Sequence, residues 1–302
     1  MTARSGDDLL QRLGGLDRRW LYLTLIVALA ATMVARPLFP DAPSAFTRPV
    51  FERIESLAPG TPVLVTLDYS PASAPEIEPM AFALTRHLFL RGARPVFISL
   101  WPEGNNMLQR LRDEVMAGDF PDLVEGRDFA ALGYQAGGRM VINSLVRDMP
   151  AMYAGDLRGV PLDSLAALGG VRRLADFPLI VALSGGTPGL QEWILYGGDP
   201  TGVPIVGGCT GIGAPEFLAY FPWQLVGLLG GLKGASEYEA ELAVRYADRD
   251  FPRRAGRAMG PQTVAHVLIL IFLILGNLAY LRRPGRRGKQ VAGAAMGGRR
   301  ER

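Results

Sequence analysis

The sequence predicts a parallel, doubly wound α/β domain of the Rossmann-like or flavodoxin-like kind, exported across a membrane and flanked by two transmembrane helices. Three observations carry that expectation. Short runs rich in Val, Ile and Leu, apolar at every position, alternate with segments that are apolar at helical spacing. Strands buried on both faces by crossover helices leave that pattern. Long apolar spans lie near both ends, and a block of basic residues follows the second.

The chain has 302 residues, 49% of them hydrophobic, too apolar for a disordered polymer and long enough for one large or two small domains. Its net charge of +3 is unevenly distributed. Residues 282–302 hold eight Arg/Lys against one acid, and residues 1–19 hold four Arg against three Asp. The stretch between them is therefore net acidic, and basicity is no argument for nucleic-acid binding. A basic tail beside an apolar span suits anionic lipid headgroups instead. Its Gly/Ala/Arg composition predicts disorder. With Cys209 the only cysteine, no internal disulfide can form.

Residues 264–281 are apolar except for His266 and Asn277, and LRRPGRRGKQ follows at 281–290. An apolar span that ends in arginines is a stop-transfer pattern with its basic side in the cytoplasm. Residues 20–35 form a second span after Asp17-Arg18-Arg19. Met33 occupies a place where a signal peptide needs a small residue, so an uncleaved anchor is expected. The resulting organisation is a cytoplasmic head at 1–19, a first transmembrane helix at 20–39, a linker with a short helix at 40–60, and an extracytoplasmic domain at 61–260. A second transmembrane helix at 262–281 and a basic cytoplasmic tail at 282–302 complete it. Both termini then lie on the cytoplasmic side of the cell (inner) membrane. A third apolar stretch, 215–232, is read as a buried or interfacial helix, because another crossing would export the arginine tail.

Within the domain, strands are expected at 63–67, 95–100, 128–132, 178–183 and 203–206. Helices are expected at 80–90, 107–116, 139–147, 162–174 and 190–196, and a charged helix at 238–260 leads back to the membrane. In an open parallel sheet, ligands bind beyond the carboxyl ends of the strands. Candidate ligand-binding residues there are Asp68, Ser70, Glu103, Tyr134, Gly137, Gly138, Ser184, Thr187, Cys209 and Thr210. Glycines at such ends let the backbone approach a ligand, and helix N-termini favour anions.

No loop carries a specific nucleotide motif. GYQAGG at 133–138 lacks G-x-G-x-x-G, GGCTGIG at 207–213 fits it only awkwardly, and no P-loop is present. His87 falls mid-helix among leucines and reads as a packed histidine. No metal-ligand spacing occurs, so neither metal nor cofactor is expected. Two readings of function follow. The first is a binding or complex-assembly (scaffold) role, through self-association or another membrane protein. It draws on Gly227, Gly230, Gly231 and Gly234, whose fourfold spacing would make a flat helix face. The second is a membrane-tethered hydrolase in which Lys233 serves as base to Ser184.

Overall fold

The computed structural model describes residues 17–35, 37–38 and 42–281. The basic tail 282–302, most of the head 1–19, and residues 36 and 39–41, which fall at the end of the expected first span and the start of the expected linker, lie outside the described residues. The chain divides into two units, Leu38–Met259 and the segments on either side of it.

The larger unit is a six-stranded sheet in which every neighbouring pair is parallel. Its strands are β1 Pro62–Asp68, β2 Arg94–Ser99, β3 Ala130–Tyr134, β4 Ile180–Ser184, β5 Ile205–Cys209 and β6 Gly227–Gly230, in the order β3-β2-β1-β4-β5-β6. The β-branched runs select this arrangement because both faces of each strand are buried. Val63, Val65 and Leu67 join one core cluster, and Leu64, one pleat out of phase, joins the other. Four of the expected strands lie within about two residues of 63–67, 95–100, 128–132 and 178–183. The fifth is shifted toward Cys209.

Nearly every residue of α3 Ala74–Leu90 is buried, since the sheet lies on one side and α8 Gly231–Arg245 on the other. Ahead of the sheet comes α2 Thr47–Glu55. On the first face α4 Gly104–Leu111 continues through a π-helical turn, Arg112–Met116. On the opposite face lie α5 Arg139–Arg147 and α6 Leu190–Glu192, the latter running into a π-helical turn, Trp193–Gly198.

Three expected helices are corrected. Residues 162–174 are not one helix but 3-10 turns at Leu162–Ser164 and Ala166–Leu168, with another at Leu174–Asp176. Pro161 precedes the first, and Gly169 and Gly170 break the run at φ +60° and +89°. Leu162, Leu165, Leu168 and Leu174 are buried against the sheet without needing helical spacing.

The apolar stretch 215–232 is not a helix either. It comprises α7 Ala214–Phe217, a 3-10 turn Leu218–Tyr220, strand β6 and the start of α8. Gly227, Gly230, Gly231 and Gly234 therefore form no helix-association face. Gly227 lies on the first turn of α2, where an added Cβ would come within 2.8 Å of Val50 N. Gly231 turns the chain at φ +56° against Gly211, and Gly234 lets α8 fold back onto Leu229. Backbone crowding explains all three.

The charged segment 238–260 is also split. α8 ends at Arg245, and α9 Arg254–Leu281 begins after Pro252. Glu239 of α8 accepts hydrogen bonds from Ala255 N and Gly256 N, both at 3.0 Å, and so caps α9 from another helix.

His87, buried in α3, is held from both sides. Its Nε2 lies 2.8 Å from Glu55 Oε2 and its Nδ1 lies 2.6 Å from Tyr238 Oη. The carboxylate requires the proton on Nε2, so Nδ1 accepts from the tyrosine. Burial pushes the His87 pKa down to about 4, against the pull of Glu55. Burial alone would raise Glu55, but donors from His87, Tyr246 and Arg245 hold it at about 2.

In the second unit, α1 Arg18–Ala35 has no buried residue, and side chains of α9 such as Ile269, Leu270 and Leu273 are exposed. Arg18–Ala35 and Arg254–Leu278 are both long and apolar enough to cross a membrane.

Candidate functional site

The carboxyl ends of the strands differ in how far they are closed. Strand order reverses between β1 and β4, where a doubly wound sheet splits its crossovers and leaves a crevice. Here that point is filled. Asp68, the last residue of β1, pairs in register with Ser184 at the end of β4, and its carbonyl accepts from Gly185 N at 2.9 Å.

The Asp68 carboxylate is completely buried. Oδ1 accepts from Leu100 N at 2.6 Å, and Oδ2 accepts from Trp193 Nε1 and Thr66 Oγ1, both at 2.8 Å. One side chain thus ties the ends of β1 and β2 to the π-helical turn after β4. With no cation beside it, burial raises its pKa to about 6 against the lowering effect of these donors. The group is enclosed and holds structure.

Next to this knot, between the ends of β4 and β5, lies an open cleft that spans about 400 Å³ with the adjoining open solvent included. Ser184, Gly185, Gly186 and Thr187 form one wall, and Cys209, Thr210 and Gly213 form the other. Gln191, Glu216 and Phe217 close it from the helices that follow the two strands. Trp101, after β2, packs its ring 3.3 Å from where a Cβ on Gly186 would sit. Its indole N–H donates to Pro188 O at 2.6 Å, which fixes the outer turn of the β4 loop. Gly189 cannot carry a side chain there, because its Cβ would lie 2.9 Å from Ser184 Cβ.

Of the ligand-binding candidates that the sequence suggests, Ser184, Thr187, Cys209 and Thr210 meet in this cleft. Asp68 lies beneath the surface in the knot. Ser70, Glu103, Tyr134, Gly137 and Gly138 are not among the lining residues. Gln191, Glu216 and Phe217 were not singled out from the sequence. Their position in the first turns after two strands was the available signal, but knowing that β4 and β5 are neighbours was needed to use it.

The reactive groups are quiet. Ser184 Oγ donates to Gly186 O at 2.8 Å. Lys233 is half exposed on α8, forms an ion pair with Glu237 at 3.4 Å and is not among the residues lining the cleft. The structure does not bring Ser184 and Lys233 together there. Burial, assisted by the negative field of Glu76 and Glu216, pushes the Cys209 thiol up to about 12, so it stays protonated at neutral pH. Among the described residues, no group of three or more His, Cys, Asp or Glu side chains is placed to hold a metal. No protein-family model, curated protein or solved structure matches the chain.

Proposed function

We propose that this chain is a two-span membrane protein whose extracytoplasmic, Rossmann-like domain binds a small polar ligand between β4 and β5, without catalysis. One observation carries the reading. The cleft stands open, while its two nucleophile-type side chains are disarmed, Ser184 by its bond to Gly186 O and Cys209 by burial. An activated serine needs a base within hydrogen-bond reach, and neither His87 nor Lys233 lines the cleft. The strand order 3-2-1-4-5-6 supports the Rossmann-like reading. The scaffold role loses its glycine faces with the assignment of β6, so ligand binding is the part carried forward. The two spans and the arginine-rich tail support a cytoplasmic location for both termini and contact with anionic lipid.

Membrane sidedness is testable with thiols placed in a Cys209→Ser background. Ile212→Cys, at a position 94% exposed, should react with an impermeant maleimide on intact cells. Arg299→Cys should react only after lysis. Labelling of Arg299→Cys on intact cells would refute the two-span arrangement. A separate assay addresses the hydrolase alternative. Ser184→Ala and Lys233→Ala should leave turnover of ester and peptide substrates unchanged from background in the purified full chain. A wild-type rate that either substitution abolishes, with the fold intact, would replace binding with catalysis.

A further inference from the structure

Taking the binding reading of the β4–β5 cleft as its basis, we infer the charge class of the ligand: a small organic cation, an ammonium on a short polar skeleton. Phosphate and carboxylate are the alternatives that glycine-rich loops at strand ends ordinarily suggest. Recognition of an anion needs backbone N–H groups that point at it and have no other partner. Here those groups are already engaged within the protein. Gly185 N donates to Asp68 O at 2.9 Å, and Gly186 N to Ser184 Oγ at 3.4 Å. Gly189 N donates to Glu192 Oε2 at 2.7 Å, and Gly211 N to Glu76 Oε2 at 2.8 Å. Gly213 N donates to Thr210 O at 3.1 Å.

The helix starts nearest the cleft point the same way. Glu76, Glu192 and Glu216 each lie in the first turn of the helix that follows β1, β4 and β5, so these three positive helix ends already have a carboxylate of their own. No Lys or Arg lines the cleft. Glu216 does, and among the described residues its carboxylate has neither a hydrogen bond nor an ion pair. Around it are acceptors and an aromatic wall: the Thr187 and Thr210 hydroxyls, and Phe217 packed against Tyr220 with ring centroids 6.4 Å apart. An unpaired carboxylate, hydroxyl acceptors and an aromatic face together recognise an ammonium group.

The test uses the full chain in detergent and ligand-observed NMR. The probes are ethanolamine and putrescine, set against inorganic phosphate and acetate. The ammonium probes should give saturation transfer and the anions none. Thr210→Trp, which fills the cleft, should abolish the signal. Glu216→Gln alters an exposed side chain without disturbing the core, and should weaken ethanolamine binding about fivefold, the upper range for an exposed charge pair. Signals from phosphate or acetate alone, lost in Thr210→Trp, would overturn the inference and leave the binding cleft standing. Ammonium signals indifferent to both substitutions would place the probes elsewhere and overturn it too. If no probe of either sign gives a signal sensitive to Thr210→Trp, both the inference and the binding reading fall.

Discussion

Along one edge of the sheet, the β1–β2 half and the β4–β5 half start from similar material and end in opposite states. Each has a polar residue at the last strand position, Asp68 in one and Ser184 with Cys209 in the other, and each turns directly into a helix. At β1 the polar group is buried under Trp193, Leu100 and Thr66, and all of its hydrogen-bonding capacity is directed inward. At β4 and β5 the loops satisfy their own N–H groups and leave a hollow between them. The glycine and acid content of a strand end therefore does not decide whether it binds anything. What decides is whether a large side chain from another crossover reaches over it. Trp193, from the crossover after β4, reaches over β1. Near β4, Trp101 is tied to Pro188 O and stacks outside Gly186.

The contrast predicts unequal responses to substitution. Asp68→Ala strands the Leu100 amide and the Trp193 indole N–H inside the core, at a cost of about 3 kcal/mol. Thr210→Trp, a far larger change in volume, projects into the open cleft and gives up only the bond from Gly213 N to Thr210 Oγ1 at 3.3 Å, so it should cost about 1 kcal/mol. Chemical denaturation of the detergent-solubilised chain, followed by tryptophan fluorescence, measures both. Equal losses in the two variants would mean that the cleft is packed as tightly as the knot, and the comparison would fail.

Much of this architecture was legible in the sequence, and the part that was not has a physical explanation. Strands β1, β2 and β4 announce themselves because a parallel strand buried on both faces is apolar at every position. The same uniformity hid β6. An apolar stretch that also contains a buried strand has no periodicity to separate strand from helix. The pairing of Gly227–Gly230 with β5 reveals the strand, and Gly227 is crowded there by Val50, which lies far off in the chain. The site divided in a similar way. Ser184, Thr187, Cys209 and Thr210 were found by their place at strand ends, which local pattern supplies. The role of Asp68 depends on Trp193, 125 residues later, and no local pattern encodes that pairing. The cleft walls Gln191, Glu216 and Phe217 needed the pairing of β4 with β5 before they could be grouped.

A finer separation comes from pH, because the closed half holds a buried acid and the opposite face of the sheet a buried base. Asp68 has its pKa raised to about 6. Between that value and the unfolded value near 3.8, the native state keeps a proton that the unfolded chain has released, so this group's contribution is lost as pH rises. His87 behaves in the opposite sense. Its native pKa of about 4 lies below the unfolded 6.5, so the unfolded chain takes up a proton that the native state refuses, and stability is lost as pH falls through that interval. In the wild type the two slopes oppose each other between about pH 4 and 6. Stability differences from single variants separate them. Wild type minus Asp68→Asn should fall with rising pH, and wild type minus His87→Gln should climb, each bounded by about 1.4 kcal/mol per pH unit. A flat Asp68→Asn difference would mean that Trp193 and Leu100 keep the carboxylate fully ionised. The closed half would then enclose a permanent negative charge beside the cleft, which would strengthen its preference for cations.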